Sequence, residues 1–254
     1  MSNAMTPQVQ MDGVPFPSAH PIRGLLTIFF SPAETFERAG PRPWLVPMIA
    51  VALLALLINV AVIQVMGMGT IVRNQIEANT KIAESLGPEK INQMAQDADS
   101  GPRKAITYVM AVVGGPVFVL CIAGITYGAL LVTGATTKFH AVVGATAWSA
   151  YSVLAVTAVG TLVFLAAVKD FSGVDPQNML MLNGSIFFDR QTSPAWLRSL
   201  AGGVDLIAIW GLFIRALGLT RLSERVSMAQ AAGVVGTLYV LYVIGKTGFA
   251  AMFG

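Results

Sequence analysis

The sequence predicts an all-α membrane protein: a five-transmembrane-helix bundle with a short interfacial helical segment before the first span and a helical hairpin between the first two. Three observations carry that reading. First, no Asp, Glu, Lys or Arg occurs from Trp44 to Gly69, from Ala105 to Thr137, or from Phe139 to Val168. Second, two more apolar stretches, Ala195 to Leu219 and Met228 to Phe253, are interrupted only by Arg198, Asp205, Arg215 and Lys246. A helix rises about 1.5 Å per residue, so roughly 20 apolar residues cross a bilayer core of about 30 Å, and every one of these stretches is long enough. Third, hydrophobic residues make up 55% of the chain and charged residues 11%, against about 25% charged in a soluble domain.

The same composition excludes several functions. The net charge of +3 is small and scattered over loops, which suits lipid headgroups rather than nucleic acid. The single cysteine, Cys121, lies inside a predicted span and leaves no disulfide or cysteine cluster within one chain. His20 and His140 are too few for a zinc site without several carboxylates. No nucleophile stands beside a base, and no phosphate loop or metal-ligand spacing occurs. The chain is therefore read as non-enzymatic, with no catalytic, cofactor-binding or metal-binding residue.

Taken in order, Met1 to Ala4 reads as a cloning scar and residues 6–20, broken by Pro7, Pro15 and Pro17, as a disordered tail without a cleavable signal. Residues 21–254 then form one membrane domain. Ile22, Leu25, Leu26, Ile28, Phe29 and Phe30 predict a short interfacial helix. Ser31-Pro32-Ala33-Glu34 predicts a second, with Ser31 capping the first-turn amides, Pro32 at the first helical position and Glu34 reaching back. Gly40-Pro41-Arg42-Pro43 ends it, and Trp44 marks the headgroup level. The spans fall at about 44–68, 104–134, 139–168, 196–219 and 228–252. Between the first two, Ile71, Ile76, Ile82 and Leu86 recur at helical spacing and Glu77 pairs with Lys81, before Gly87-Pro88 breaks the pattern. The apolar pieces between Lys169 and Pro194, including Leu180, Met181 and Leu182, are too short for a sixth span and predict a loop folded back on the bundle or into the interface.

Asp205 is the sharpest polar feature, because an ionisable group within a span is costly and faces protein or water. One reading makes it an ion or proton site of a small-solute transporter or channel. The other makes it a buried acid that fixes helix packing, with Lys246 or the hydroxyls of Thr237, Tyr239 and Tyr242 as partners, and Trp210 completes this candidate polar site. Arg215 is expected to snorkel to the surface. An enzyme acting on lipids through His140 is the remotest alternative. Gly124 and Gly128 form a G-x-x-x-G, and Ala145 and Ser149 belong to a small-residue stripe, so these four are candidate helix-packing positions. Pro116, after Gly114-Gly115, is expected to bend its span.

Three blocks carry a resemblance. Ile28-Phe29-Phe30-Ser31-Pro32-Ala33-Glu34-Thr35-Phe36-Glu37, followed by Pro43-Trp44-Leu45-Val46-Pro47, resembles the opening segment of the Yip (Ypt-interacting protein) family. Gly144-Ala145-Thr146-Ala147-Trp148-Ser149-Ala150-Tyr151-Ser152 resembles its middle span, and Val204-Asp205-Leu206-Ile207-Ala208-Ile209-Trp210-Gly211-Leu212 with Gly218-Leu219-Thr220-Arg221-Leu222 its fourth. The resemblance is to a short, prokaryotic-type member. It implies a compact five-helix membrane domain in the cell membrane with a cytosolic N-terminus, acting as a membrane-organising or trafficking-type scaffold. The implied partners are membrane lipids, and another membrane protein or a second copy of the chain. Eukaryotic members are associated with Rab-type GTPases through a longer N-terminal region, and its shortness here argues against GTPase binding.

Overall fold

The computed structural model describes residues 22–40, 42–78, 80–172, 174, 179–180, 182–188 and 192–253. The scar, the tail at 6–20, Pro41 and Met181 lie outside the described residues, as does the Lys81 side chain with its expected Glu77 pair. Among the described residues all regular structure is helical: α1 (Gly24–Phe30), α2 (Pro32–Glu37), α3 (Leu45–Met66), α4 (Met68–Glu77), α5 (Thr80–Ala98), α6 (Gly101–Val132), α7 (Phe139–Ala167), α8 (Ala195–Ala201), α9 (Leu206–Leu222) and α10 (Met228–Phe253). Four of these, α3, α6, α7 and α10, are long and apolar enough to cross a membrane.

α7 is the axis of the bundle. It packs on α3, α6 and α9 and touches α1, and its first half is enclosed from Ala141 to Ser149 and again at Tyr151 and Ser152. α10 packs on α9, α8 and α6. Ala123, Leu130, Val142, Ala145, Ala216, Leu219, Ala231 and Val235 form one buried cluster where α6, α7, α9 and α10 meet.

At the N-terminal end, loop contacts close the bundle. The turn 133–138 meets the turn 223–227 through a β-bridge between Thr136 and Arg225 and a 2.6 Å hydrogen bond between the Thr137 and Ser223 hydroxyls. Arg221 pairs with Glu37 of α2 at 2.8 Å. At the opposite end stands the expected helical hairpin of α4 and α5. Gly67, at a φ of 79°, turns the chain between α3 and α4, and Gly87, at 73°, splits α5 at the predicted Gly87-Pro88 break. Both backbones occupy the left-handed region that glycine enters without a Cβ penalty. Buried Asn74 donates from Nδ2 to the carbonyls of Phe171 (2.7 Å) and Val174 (2.9 Å), tying α4 to the segment after α7.

The expected capping box at Ser31 takes a different form. Ser31 occupies the N-cap of α2 with Pro32 in the first turn, but its side chain makes no cap hydrogen bond. Glu34 instead pairs with Arg38 at 2.6 Å. The Thr35 hydroxyl donates to the Ser31 carbonyl and shares a 2.8 Å hydrogen bond with Thr27, which locks α1 to α2.

The predicted fourth span is corrected. It is not one helix over 196–219 but two, α8 and α9, separated at residues 202–205. Gly203 lies so close to α10 that a Cβ there would stand 2.6 Å from Val243. The Tyr239 hydroxyl donates to the Gly203 carbonyl at 2.9 Å, and the Asp205 side chain restarts the helix. α9 has 17 residues, about 25 Å of rise, the shortest length that reaches across a bilayer core. The described residues of the loop before α8 fold back on the bundle, one of the two expected courses. Leu180 fills the space beside Gly160, and Gly184 N–H and Leu206 N–H donate to Val204 and Leu182 across the break.

Candidate functional site

Two polar features interrupt the apolar bundle, and each owes its place to α9. The first is the break itself. Asp205 adopts an extended backbone, and its Oδ1 accepts from Ala208 N–H at 2.9 Å, satisfying one of the amides a helix leaves open at its start. Asp205 is half-buried. The sequence places it about 12 Å inside a continuous span; the structure makes it the cap of a new helix. Among the described residues no ion pair joins it to Lys246, which is exposed on α10. Of the three expected hydroxyl partners, Tyr239 does reach the break, where it binds the Gly203 carbonyl rather than the carboxylate. Trp210 lies five residues on and about 140° around the helix, with its ring 5.8 Å from that of Phe213. Among the described residues no hydrogen bond or ion pair joins the three residues of the expected polar site.

The second feature is Arg215. Its Nε is enclosed and has no hydrogen-bond partner, while the residue as a whole is part-exposed. On α9, Gly211 faces Val153 and Ser149 of α7, and Gly218 faces Phe36 and Ala145. Leu212, Ala216 and Leu219 face the cluster shared with α10. At about 100° per residue Arg215 falls between these two faces and projects into the angle between α7 and α10. Arginine stays charged at any physiological pH.

The expected packing positions divide sharply. Ala145 and Ser149 sit at the closest helix contact: Ala145 is buried against Gly218, and Ser149 Oγ donates to the Gly211 carbonyl at 2.7 Å. Gly124 and Gly128 are exposed with open space where a Cβ would stand, so within this chain they pack against no neighbour. α6 runs unbroken through half-buried Pro116 for 32 residues, and Gly115 beside it admits Val51 of α3.

The sequence reading missed Gly211 and Gly218 as the residues that bring α9 onto α7. The helix expected at the interface, α1, also docks along the flank of α7. Tyr151 Oη donates to the Leu25 carbonyl at 3.0 Å, the Phe29 and Tyr151 rings lie 6.1 Å apart, and Gly24 admits the edge of Trp148. Ile28 is fully buried. On the other side, Ile22, Leu26 and Phe30 are 66%, 70% and 86% exposed, an apolar ridge at four-residue spacing.

Comparison with known proteins agrees with these helices. The model of one family, described as the Yip1 domain, matches residues 26–247, from within α1 to near the end of α10. No curated protein and no solved structure gives a significant match.

Proposed function

This chain belongs to the Yip1 domain family, and on that premise we propose that it is a non-enzymatic, five-span scaffold of the cell membrane that organises lipid and neighbouring membrane proteins. The observation that carries this reading is the two-sided α1. Leu25, Ile28 and Phe29 fix it to α7, so Ile22, Leu26 and Phe30 cannot turn inward and remain presented as a rigid ridge. Burying a large apolar side chain is worth about 1.5–3 kcal/mol. A helix anchored this way wedges into the acyl boundary of one leaflet instead of floating on it.

Support for five crossings comes from the succession of ends. α3, α6, α7, α9 and α10 each lead from one set of end loops to the other, so α9 makes a crossing despite its length. Support for a cytoplasmic N-terminus comes from the short basic turn after α9, with Arg221 and Arg225, which shares an end with Arg23, Arg38, Arg42 and Lys138. The partners proposed are lipids and other membrane proteins, including a second copy.

The test is reconstitution into vesicles of defined lipid. Wild-type protein at high protein-to-lipid ratio should narrow or tubulate vesicles, and a variant carrying Ile22→Ser, Leu26→Ser and Phe30→Ser should leave them spherical while keeping its folded tryptophan spectrum. Identical vesicle shapes with the two proteins would overturn the role of the ridge. Turnover of a substrate by the pure chain would overturn the non-enzymatic reading.

A further inference from the structure

The hairpin of α4 and α5 holds a cavity of about 300 Å³, at the small end of the range for small-molecule sites, about 300–1,000 Å³. The break at Gly87 gives it three walls. Arg73 and Glu77 line it from α4, Ala83 and Glu84 from the first half of α5, and Pro88, Ile91 and Asn92 from the second. Arg73 and Glu77 stand four residues apart on one helix face, a spacing at which opposite charges pair. Here they do not. The Arg73 guanidinium reaches across to α5, where Nη2 donates to Asn92 Oδ1 at 2.9 Å. Among the described residues neither Glu77 nor Glu84 makes an ion pair. One small cavity therefore keeps a held cation and two carboxylates side by side without mutual neutralisation.

That lining selects its ligand by charge. A simple anion meets two carboxylates, and a simple cation meets the guanidinium; a zwitterion satisfies both. Asn92 occupies one of the five guanidinium donors and leaves the others for an anion, and their planar fork matches the oxygens of a phosphate. The carboxylates accept from a primary ammonium, which carries three donors. A quaternary ammonium would call for aromatic faces, and among the described residues no aromatic side chain lines the cavity. Nor do three His, Cys, Asp or Glu side chains come together among the described residues to hold a divalent cation. Arg73 lies seven residues past Met66, where α3 ends, about 10 Å of helical rise. The polar headgroup layer extends roughly 5–8 Å beyond each face of the hydrocarbon core, so a lipid headgroup comes within reach.

We propose that the cavity between α4 and α5 binds a phosphoethanolamine group, carried by a phospholipid of that leaflet or free in solution. Arg73 holds its phosphate, and Glu77 and Glu84 receive its ammonium. The site rests on the membrane reading of the chain but not on the α1 ridge, which lies at the other end of the bundle, and its assay does not involve vesicle shape. Failure of one therefore leaves the other standing.

Native mass spectrometry of the detergent-purified full chain tests it, with phosphatidylethanolamine, phosphatidylcholine and phosphatidylglycerol of the same acyl chains, and free phosphoethanolamine, as probes. Wild-type protein should retain phosphatidylethanolamine about tenfold more tightly than either other lipid, as charge-assisted hydrogen bonds imply. Glu77→Gln with Glu84→Gln should abolish that preference, and Arg73→Gln should weaken it; all three side chains are exposed, so the fold should survive. Ala83→Phe, which fills the cavity without altering a charge, should weaken the preference too. Glu89→Gln, exposed and outside the lining, should keep it. Displacement of the lipid by free phosphoethanolamine assigns the site to the group in either form, and resistance to it assigns the site to the lipid; both uphold the proposal. Equal retention of the three lipids, wild-type retention by the double glutamine variant, a preference that arises only with added calcium, or its loss on Lys81→Gln would each overturn it.

Discussion

Replacing Gly211 with alanine is the most direct probe of what holds α9 to α7. A Cβ at that position would lie 2.5 Å from Val153 Cγ2 and 3.4 Å from Ser149 Oγ. Carbon atoms prefer about 3.5–4.0 Å, so the helices must part by roughly 1 Å or Val153 must leave its rotamer. Overpacking of this kind costs about 1–3 kcal/mol. Separation also stretches the 2.7 Å bond from Ser149 to the Gly211 carbonyl, and interhelical hydrogen bonds in membranes average about 0.6 kcal/mol. Against these stands the helix propensity of alanine over glycine, about 1 kcal/mol. The net expectation is a loss of about 1–2.5 kcal/mol, read from unfolding in mixed detergent micelles by tryptophan fluorescence. Adding Val153→Ala vacates the clashing methyl, so the double variant should lose less than the sum of the singles by about 1 kcal/mol or more. A neutral or stabilising Gly211→Ala, or strict additivity with Val153→Ala, would refute the close approach.

At the helix break, Asp205→Asn should be nearly neutral, because asparagine caps as well as aspartate, and Asp205→Ala should cost about 1 kcal/mol. Lys246→Met should add to either without coupling, since no ion pair links the two; strong coupling in thermal unfolding would restore the salt bridge. Asp99 accepts from Lys104 at 3.0 Å and from the Gly69 amide at 3.2 Å, and the Lys104 hydrogen bond, chiefly, holds its carboxyl below the usual carboxylate range. A depressed folded pKa gives stability present above the unfolded value of about 3.9 and lost as pH falls through the lower folded one. Asp99 is about half exposed, so solvent screening keeps the effect below about 1 kcal/mol. Hydrogen exchange in α4 should then differ between wild type and Asp99→Asn at pH 7 and converge near pH 2; a difference that persists at pH 2 would assign it to packing. For topology, with Cys121 replaced by alanine, cysteines at Ser85 and Glu224, both exposed, should label from opposite faces of the membrane. Ser223, which is buried and bonded to Thr137, would be a poor choice. Labelling of Ser85 and Glu224 variants from one face would remove the odd number of crossings between them.

What was legible in the sequence follows from which forces act locally. The uncharged stretches of α3, α6, α7 and α10 declare themselves because hydrocarbon rejects charge wherever it meets the chain, and Gly87-Pro88 because a backbone break needs no partner. The fourth span was misread for the opposite reason. Its overall apolarity masked a signal that was present, since Gly202-Gly203 followed by Asp205 is both a helix stop and a helix start. Gly124 and Gly128 show the limit of a local pattern: the spacing fits a contact face, but only the path of α9 decides which face of which helix is covered. Gly211 and Gly218, seven residues apart on one face, do that work here, and their partners Ser149 and Ala145 lie more than sixty positions away. Asn74 was illegible too, because the two carbonyls it binds belong to a segment about 100 residues later.

The break between α8 and α9 links these points to function. Had the fourth span run straight from 196 to 219, its first half would have continued along the α7 face of Ser149 and Val153 to Gly160, where Leu180 now packs. Gly202 and Gly203 let the chain leave α7 and join α10, held there by Tyr239 and Val243. The bundle is consequently tight at the N-terminal end, where α7 is enclosed on all sides, and splayed at the other. That asymmetry places the rigid α1 ridge on the tight half and the exposed Val159 and Val163 on the splayed half. The departure of α8 from α7 therefore depends on one short glycine-aspartate interruption. Straightening it, by Gly202→Ala with Gly203→Ala, would press against Val243 and should destabilise the bundle by about 1–3 kcal/mol in thermal unfolding. An unchanged or raised unfolding midpoint in that double variant would refute the close approach of the break to α10.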